Sequence, residues 1–581
     1  MPSVEELKKK KAISEAEVEV TVYDSSIEKQ LPDSDSNTRD SGAEGVPLDI
    51  RTYHEKNAGR LVIDPKEAEI EFGKGIASRL KLSADGTTVL WPQPTDDPDD
   101  PQNWDDRRKA IQLLIATMAA IIPDFDSAIG IACLYPLSYQ FDTTTGEIND
   151  LTSNWSIFLL GWGGLFSVML MRRYGRLPIL FWSQVLTLAF LVGCTVAPDL
   201  KTFTGRLGRL IWIIIFTMGL YIVTDIFPFH LQARKLNIWA AGFLVAPYIS
   251  PFLFGFLVAN TTWRWAYGIG CIYGGIVVIV ILFFGEETIY DRAVDPIPPR
   301  PSSGLRYRVE TVFGLTGFKM AKYRSSWREV VICPLDVLWR PHLLSVLFFE
   351  AWVFGFSVGL NTTNVVLLGQ PRPLGFGYSQ TVIAGFYATP MISVILGEIM
   401  GRYLNDWILR TTIKRNKGVF EAESRLWTCY VAMPFYICGF VVLGFGLKQL
   451  NPAAVILGWG IAEIAVMINT VAIFAYCNDC FPRQQGEISA LINLLRTLGG
   501  FSVAFYQVPW ANKSGAMQTL SVEGAVVVGL AILTVPAVQV YGRYLRVRVS
   551  LLTYVSGLLI GTPSYRVGFR SSKRLLHFSI D

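Results

Sequence analysis

Three ionisable residues lie deep inside long apolar stretches of the chain. Glu350, Glu463 and Arg496 each interrupt a stretch that is long enough to cross a lipid bilayer. Because a charge in hydrocarbon is costly, such residues are rare and usually belong to a functional site. A buried carboxylate can bind and release a proton or attract a cation, and an arginine can pair with it. The chemistry that these residues support is therefore proton binding and ion pairing within a membrane.

Depth in the bilayer indicates which of these residues could meet. With a rise of about 1.5 Å per residue, each lies roughly 12–15 Å from one end of its predicted helix, near the membrane midplane where transporter sites usually lie. Glu463 and Arg496 share a depth on neighbouring predicted helices. We therefore expect them to pair, or to compete for each other when a proton binds. A permanent, purely structural ion pair is the alternative.

Two more acidic residues lie in the first predicted helix. Asp124 and Asp126 follow Pro123 in its outer third. Asp126 is a candidate for proton or substrate binding, whereas a water-filled outer vestibule is the favoured interpretation for Asp124. Acids outnumber bases in the predicted helices, so unpaired carboxylates could carry protons, attract a cationic substrate, or do both.

The sequence lacks the patterns of several other protein classes. It contains no Gly-x-x-x-x-Gly-Lys-Ser/Thr loop that would serve ATP hydrolysis, no nucleophile elbow and no cluster of metal ligands. Its 4 histidines are scattered, and a formal net charge of +4 is too small to suggest a nucleic-acid partner. Cys477 and Cys480 have the spacing of a redox pair, but a structural role is the favoured interpretation. We therefore expect no enzyme, no cofactor and no metal.

Apolar segments that could position the charged residues recur along the chain. The composition, with 51% hydrophobic and 17% charged residues, is typical of a membrane protein. About 20 mostly apolar residues cross the hydrocarbon core as a helix. The sequence therefore predicts an all-α membrane protein with twelve transmembrane helices in two six-helix bundles. The predicted spans lie near 110–132, 155–171, 178–197, 210–227, 237–259, 265–285, 342–361, 379–400, 427–447, 453–476, 487–508 and 524–542.

Polar segments separate the predicted bundles from the rest of the chain. The first part is rich in Asp, Ser and Lys and too poor in aliphatic residues to form a core. A final apolar stretch, Val549 to Ile560, is too short to span and fits an interfacial helix. The predicted units are a disordered cytosolic tail at 1–105, an N-terminal bundle at 106–286, a cytosolic central loop at 287–340, a C-terminal bundle at 341–543 and a cytosolic C-terminal tail at 544–581.

Lysine and arginine residues indicate the orientation of the chain in the membrane. They concentrate in the loops that lie on the same side as the N-terminus, as the positive-inside rule requires, although the loop at 201–209 disagrees. We expect both termini in the cytosol, a location in the plasma membrane and a monomer. Four Asn-x-Ser/Thr triplets, all on the predicted outer side, begin at Asn154, Asn260, Asn361 and Asn512.

The loop between the second and third spans resembles a signature of the major facilitator superfamily. Arg173, Gly175 and Arg176 match that signature, whereas Arg172 stands at its acidic position. The resemblance implies a cytoplasmic latch in which charge pairs hold helices together. The alternative is that these arginines only follow the positive-inside rule. The implied acidic partners are Asp225 and, in the second half of the chain, Asp406.

The fifth span is similar to the Gly- and Pro-rich fifth helix of proton-coupled antiporters in the same superfamily. Its matching residues are Pro247, Pro251 and Gly255, which allow bending and close helix packing. The stretch from Asn493 to Arg496 resembles fungal members and adds Asn493 to the candidate site. The nearest group is the fungal drug:proton antiporters, together with their polyamine- and cation-transporting relatives.

The resemblance implies a proton-coupled transporter that works by alternating access and binds a small molecule between two bundles. Export of drugs, toxins or secondary metabolites is the leading expectation, and transport of polyamines or other organic cations is the second. A third, from another class, is a membrane sensor or scaffold that transports nothing. The fourth span, near 210–227, lacks the motif that the family has there and keeps this third possibility open.

Overall fold

The structure is a computed structural model that describes residues 64–83, 85–200, 202–203, 220–290, 304–372, 375–415, 421–481 and 484–560. Within these residues, 11 helices are long and apolar enough to cross a membrane. The predicted all-α membrane fold is therefore confirmed, with a helix at eleven of the twelve predicted positions. The fourth predicted span is described only at its end, and residues 210–219 lie outside the described part of the chain.

We number the main helices in chain order. A short helix at Gln380–Phe386 precedes the eighth of them and is not numbered. The helices are α1 (Asp106–Ala132), α2 (Thr145–Tyr174), α3 (Arg176–Thr195), α4 (Leu220–Ile226), α5 (Phe229–Asn260), α6 (Arg264–Phe284), α7 (Pro341–Gly369), α8 (Ala388–Arg415), α9 (Trp427–Lys448), α10 (Pro452–Cys480), α11 (Gln485–Ser514) and α12 (Ala516–Ile560).

Local sequence explains where several of these helices begin and end. Pro341 and Pro452 open α7 and α10, because a proline fits the first helical turn, whose backbone N–H groups need no helical partner. The Asn451 side chain accepts hydrogen bonds from the first backbone N–H groups of α10. Gly175 separates α2 from α3 with a φ of 109°, a conformation that favours glycine.

Helices of each half pack mainly against one another. In the first half α1 packs against α5 and α6, and α3 against α6. In the second half α7 packs against α11, and α10 against α8 and α9. The two halves meet along two lines, where α2 packs against α11 and α5 against α8 with its preceding helix. Residues on these four helices can therefore respond to a movement of one half against the other.

One end of the molecule collects arginine side chains and is called the basic end here. It is the end at which α1 begins and α2 ends, and it carries Arg108, Arg172, Arg176 and Arg425 in ion pairs. The loop that connects the two halves lies at this end and contains helices at Gly304–Val312, Leu315–Met320 and Trp327–Leu338.

The segment just before α1 differs from the expected disordered tail. Short helices form at Pro65–Phe72 and Lys74–Ala77. The Tyr290 hydroxyl, beyond the end of α6, donates a 2.9 Å hydrogen bond to the Asp97 carboxylate. Residues 64–105 therefore include folded parts anchored to the first half, and residues 1–63 lie outside the described part of the chain.

The last helix also differs from expectation. We predicted a span at 524–542 followed by a separate interfacial helix, but α12 is a single helix of 45 residues from Ala516 to Ile560. It begins eight residues before the predicted span. This earlier start brings Glu523 into the helix.

Candidate functional site

The first buried charge centre surrounds Glu350 in α7. Its carboxylate accepts hydrogen bonds from the Asn469 amide (3.1 Å) and the Thr470 hydroxyl (2.8 Å), both on α10. The Arg496 guanidinium of α11 lies 3.8 Å from the same carboxylate. Glu350, Asn469 and Arg496 are all buried. Three helices of the second half thus meet at one carboxylate–guanidinium pair.

The pairing of Arg496 corrects a prediction. We expected Arg496 to face Glu463, but it pairs with Glu350 instead. Its guanidinium also stacks on the Phe354 ring, 3.5 Å from the ring centre, which stabilises a desolvated cation. Depth along the membrane normal does not specify which face of a helix a residue occupies, and this is why the prediction was wrong.

The second buried centre surrounds Glu463 in α10. Its carboxylate accepts hydrogen bonds from the Ser357 hydroxyl (2.9 Å to each oxygen) and from the Trp459 indole (3.2 Å). The Tyr248 phenol of α5, in the other half of the chain, lies close to the same carboxylate. Glu463 is fully buried. Its two hydrogen-bond donors therefore belong to the second half and its Tyr248 neighbour to the first, and Tyr248 is a residue that the sequence analysis did not identify.

The remaining predicted residue of α11, Asn493, lies one turn before Arg496 and is half-buried. Its backbone carbonyl accepts a 2.9 Å hydrogen bond from the Thr497 hydroxyl. Thr497 in turn lies against Gly161 of α2, where a larger residue would collide with it. The structure therefore places Asn493 beside the line where α2 meets α11, near the Arg496 centre.

A third buried carboxyl group, on Glu523 of α12, was missed from the sequence. It accepts a 2.8 Å hydrogen bond from the Gln507 amide, and the Gln507 amide oxygen accepts one of 2.7 Å from Thr363. Glu523 is 1% exposed. It could have been recognised as an acid within a membrane helix if the last span had been started at residue 516.

In the first half, Asp126 is buried without a partner. Its side chain is 4% exposed, and among the described residues neither carboxyl oxygen has a hydrogen-bond partner. A methyl group on Gly270 of α6 would lie 3.1 Å from it, so Asp126 faces the close contact between α1 and α6. Asp124 is half-buried and lies within the electrostatic range of Arg496. Only Asp124 therefore faces the charge centres of the second half.

The fifth-helix motif lies where the halves meet. α5 runs through Pro247 and Pro251 without a break. A methyl group on Gly255 would lie 2.6 Å from the Ala384 methyl carbon, in the short helix before α8. Gly255 therefore permits a close approach of the two halves, as a glycine in a membrane helix contact commonly does.

Arg176 and Asp225, two residues of the predicted first-half latch, form an ion pair. The Arg176 guanidinium donates hydrogen bonds to Asp225 of α4 at 3.0 and 3.4 Å. Glu287 accepts hydrogen bonds from the backbone N–H groups of Arg176 (2.9 Å) and Leu177 (3.3 Å). A methyl group on Gly175 would collide with the Glu287 carboxylate. Glu287 is thus a latch residue that sequence reasoning missed.

Two other predicted latch residues have different partners. Arg173 turns away to donate a 2.7 Å hydrogen bond to the Ser325 carbonyl of the connecting loop. In the second half, Arg425 pairs with Asp406 at 3.5 Å and with Asp479 at 2.9 Å. The second-half charge cluster therefore includes Asp479, which lies between Cys477 and Cys480 in the sequence, and these two cysteines form no disulfide.

Arg172, which departs from the family signature, links the two halves at the basic end. Its guanidinium pairs with Glu487 in the first turn of α11. The Cys333 thiol of the connecting loop accepts hydrogen bonds from Arg172 (3.3 Å) and Gln484 (3.3 Å). Burial raises the pKa of this thiol, and the Glu487 carboxylate raises it further. One side chain from each half and one from the loop thus meet at a single point.

Within the ranges that the structure describes, no group of three or more His, Cys, Asp or Glu residues could hold a metal ion. None of the eight cysteines, all of which lie in the described residues, forms a disulfide. The polar groups of the site are carboxylates, amides, hydroxyls and one guanidinium, which suit protons and ion pairs.

The chain is similar in sequence and in fold to known membrane transporters. The family model of the Major Facilitator Superfamily matches residues 114–504. The efflux pump radE of Floropilus chiversii is 22% identical, over 83% of this chain and 87% of its own length. The Trichosetin biosynthesis cluster MFS transporter of Gibberella fujikuroi is 27% identical, over 49% of this chain and 62% of its own. The crystal structure of peptide transporter POT in complex with sulfate is similar in fold, with a TM-score of 0.52 at 13% identity, over 74% of this chain and 95% of that chain.

Proposed function

Since the chain belongs to the major facilitator superfamily, we propose that this multi-pass membrane transporter exports small organic compounds in exchange for protons. The compounds would be drugs, toxins or secondary metabolites. The observation that carries the proposal is Glu463, a fully buried carboxylate that accepts hydrogen bonds from Ser357 and Trp459 of the second half and lies close to Tyr248 of the first half. The family is one of transporters, and the chain is a transporter rather than an enzyme.

Protonation of Glu463 can be coupled to movement through Tyr248. In the ionised state the carboxylate accepts hydrogen bonds from Ser357 and Trp459 and lies beside the polar phenol of Tyr248, and these groups stabilise the charge. A proton on Glu463 removes that charge and weakens the interaction with all three groups. Because Tyr248 alone of the three belongs to the first half, its weakened interaction is the one that acts between the halves. Proton binding would thus favour their separation on this line.

The latches at the basic end supply the opposing contact. Arg172 and Glu487 join α2 to α11 at that end, and Gly255 lies close to Ala384 where α5 meets the helix before α8. Alternating access requires that contacts of these two kinds form and break in turn. We place the substrate between the halves, beside Asn493, Arg496 and Asp124.

Export is favoured over uptake by the names of the relatives. One relative is an efflux pump, and another is named for a biosynthesis cluster. Transport of polyamines or other organic cations remains the second candidate, because Asp124 and Asp126 leave acidic groups in the first half without a salt-bridge partner in the described residues. We further propose that the transporter works as a monomer in the plasma membrane, with the basic end and both termini in the cytosol.

Transport by everted vesicles tests the proposal. Vesicles that contain the full chain receive an imposed pH gradient, and the uptake of the cationic dye rhodamine 6G and of radiolabelled spermidine is measured. We expect dye accumulation that collapses when the gradient is dissipated. Proton-dependent movement of spermidine alone would favour the second candidate. If no probe in a wide panel of organic compounds crosses the membrane, both candidate functions are contradicted and a sensor or scaffold is favoured.

A further inference from the structure

Glu523 stands apart from the two charge centres in what surrounds it. Its Oε2 atom accepts one hydrogen bond from the Gln507 amide, 2.8 Å long. Its Oε1 atom has no hydrogen-bond partner among the described residues. The Gln507 amide oxygen is occupied by the Thr363 hydroxyl. Glu523 therefore has one neutral donor and one vacant oxygen in a fully buried position.

The groups that face Glu523 offer it no positive charge. α12 packs against α7, α9 and α11. From these helices the polar or titratable neighbours in the described residues are Thr363 and Gln507, together with the phenols of Tyr436 and Tyr506. Arg496 pairs with Glu350 and is not among them. An ionised carboxylate left in such surroundings is so costly that the group takes up a proton instead.

The glycine opposite Gln507 shows that this arrangement is built into the helix packing. A methyl group on Gly359 of α7 would collide with the Gln507 amide oxygen. The absence of a side chain at Gly359 lets Gln507 lie between α7 and α12, where it donates to Glu523. The Glu523 site therefore depends on three helices rather than on a chance contact.

Helix α7 connects the three buried carboxyl groups at different depths. Glu350 belongs to α7, Ser357 donates to Glu463, and Thr363 reaches Glu523 through Gln507. At about 1.5 Å per residue, Glu350, Ser357 and Thr363 are separated by steps of roughly 10 Å and 9 Å along the helix. Tyr436 lies within electrostatic range of all three carboxyl groups. Glu523 thus lies closest to the end opposite the basic end.

We propose that Glu523 is a second proton-binding residue of the transporter, which exchanges its proton with the side of the membrane opposite the basic end. A hydronium ion donates the proton, so that its O–H bond breaks, a new O–H bond forms at the Oε1 atom and a neutral water molecule is left, and the reverse transfer to water returns the proton. Glu463 and Glu523 would then bind two protons at two depths. Glu350 differs from both in lying beside a positive charge, the Arg496 guanidinium. This inference rests on the proton coupling proposed above.

Infrared spectroscopy of the purified full-length protein tests the inference without a substrate. A protonated carboxyl group has a carbonyl absorption that an ionised one lacks. We expect Glu523→Gln to remove one component of this absorption at neutral pH and Glu523→Asp to shift that component. Thr519→Val serves as the matched control, because Thr519 is buried one turn away and its hydroxyl donates only to the Gly515 carbonyl. An unchanged spectrum in Glu523→Gln would overturn the proposal.

The number of protons moved per transported molecule provides a second test. In vesicles, Glu523→Gln is expected to lower the number of protons moved per rhodamine 6G molecule, while the control Thr519→Val keeps the proton stoichiometry of the wild type. Unchanged proton stoichiometry would overturn the proposal. Thermal unfolding of Glu523→Gln and Glu523→Asp shows whether each variant is folded. If Glu523→Gln does not fold, the result for Glu523→Asp decides. If wild-type vesicles move no dye, the proposed function fails, whereas the infrared spectrum still decides whether Glu523 holds a proton.

Discussion

The two halves of the transporter treat buried charge in different ways. In the second half the three carboxylates described above have partners: Arg496 and two α10 side chains at Glu350, two hydrogen-bond donors at Glu463, and Gln507 at Glu523. In the first half Asp126 is equally buried but has no hydrogen-bond partner in the described residues. The best-paired charges of the first half lie instead at the basic end, around Arg176.

This difference assigns separate roles to the halves. Hydrogen-bond donors stabilise the ionised form of a buried carboxylate and so allow it to release a proton, whereas a buried carboxyl group without donors is held in its neutral form. The second half therefore has the groups that a proton-coupled cycle needs. The first half contributes Tyr248 as the link to Glu463 and the Arg176 latch as a fixed point.

The largest effect on stability is expected in the second half, at Arg496. Replacing one partner of a buried ion pair leaves the other without compensation, which costs about 3–5 kcal/mol. Arg496→Met should therefore lower the unfolding temperature in detergent strongly, because Glu350 remains buried. Arg496→Lys keeps the charge and serves as the control. The double variant Glu350→Gln with Arg496→Met should regain most of the loss, and a double variant no more stable than Arg496→Met would contradict the pairing.

The next effect concerns the latch of the first half. Gly175 has a φ of 109°, and a methyl group there would collide with the Glu287 carboxylate. Gly175→Ala should destabilise the protein by about 1–3 kcal/mol, measured by thermal unfolding. Gly515 is the matched control, because its φ is 87° and nothing lies within 4 Å of a methyl group there. If Gly515→Ala cost as much as Gly175→Ala, backbone strain alone would explain the loss and the Glu287 contact would matter little.

A smaller effect is expected where the halves meet at the basic end. Arg172→Asp restores the acidic residue of the family signature, yet it should impair transport here because Glu487 would face a like charge. Since the Arg172 side chain is 36% exposed, solvent limits the pair to about 1 kcal/mol or less. Glu487→Arg should show the same defect. Transport by the double variant should approach that of the wild type, and a double variant worse than both single variants would refute the link.

Thiol labelling follows the opening of the same contact. Because burial and Glu487 raise the pKa of the Cys333 thiol, its thiolate form is scarce at neutral pH and its reaction with a maleimide should be slow. The labelling rate should rise as the pH approaches that raised pKa, and it should increase several-fold at fixed pH in Arg172→Asp. Mass spectrometry reads out Cys333, with Cys438 of α9 as the control. Equal Cys333 rates in the wild type and the variant would show that the contact does not cover the thiol.

Helix positions could be predicted from the sequence, but side-chain partners could not. Length and apolar content predict a helix near Glu463. The free-energy cost of placing a charge inside the membrane indicates that Glu463 belongs to a functional site. Neither specifies the rotation of α10 about its own axis. This rotation turns Glu463 toward Ser357 and Tyr248, and Arg496 pairs with Glu350 instead. Partners that lie on segments far apart in the chain leave no local sequence pattern, because a rotation of less than half a helical turn changes which of them a side chain faces.

Two omissions have more specific causes. Glu523 was missed because the last span was started at its first long apolar run, one residue later, whereas α12 begins at Ala516. Arg172 was recognised only as a departure from a signature, because its compensating residue, Glu487, lies on α11 in the other half of the chain. A charge exchange between two segments can be recognised from sequence only when both positions are compared together.

The most direct test of separate roles for the halves compares Glu463→Gln with Asp126→Asn in the same vesicles. Rhodamine 6G accumulation is measured over a series of imposed pH gradients, and gradient-free dye exchange reports on binding and movement. We expect Glu463→Gln to lose gradient-driven accumulation by about tenfold or more, equivalent to ~1.4 kcal/mol of coupling, and to retain exchange. Asp126→Asn should stay within about twofold of the wild type. The reverse result, with Asp126→Asn uncoupled and Glu463→Gln still driven by protons, would contradict the account.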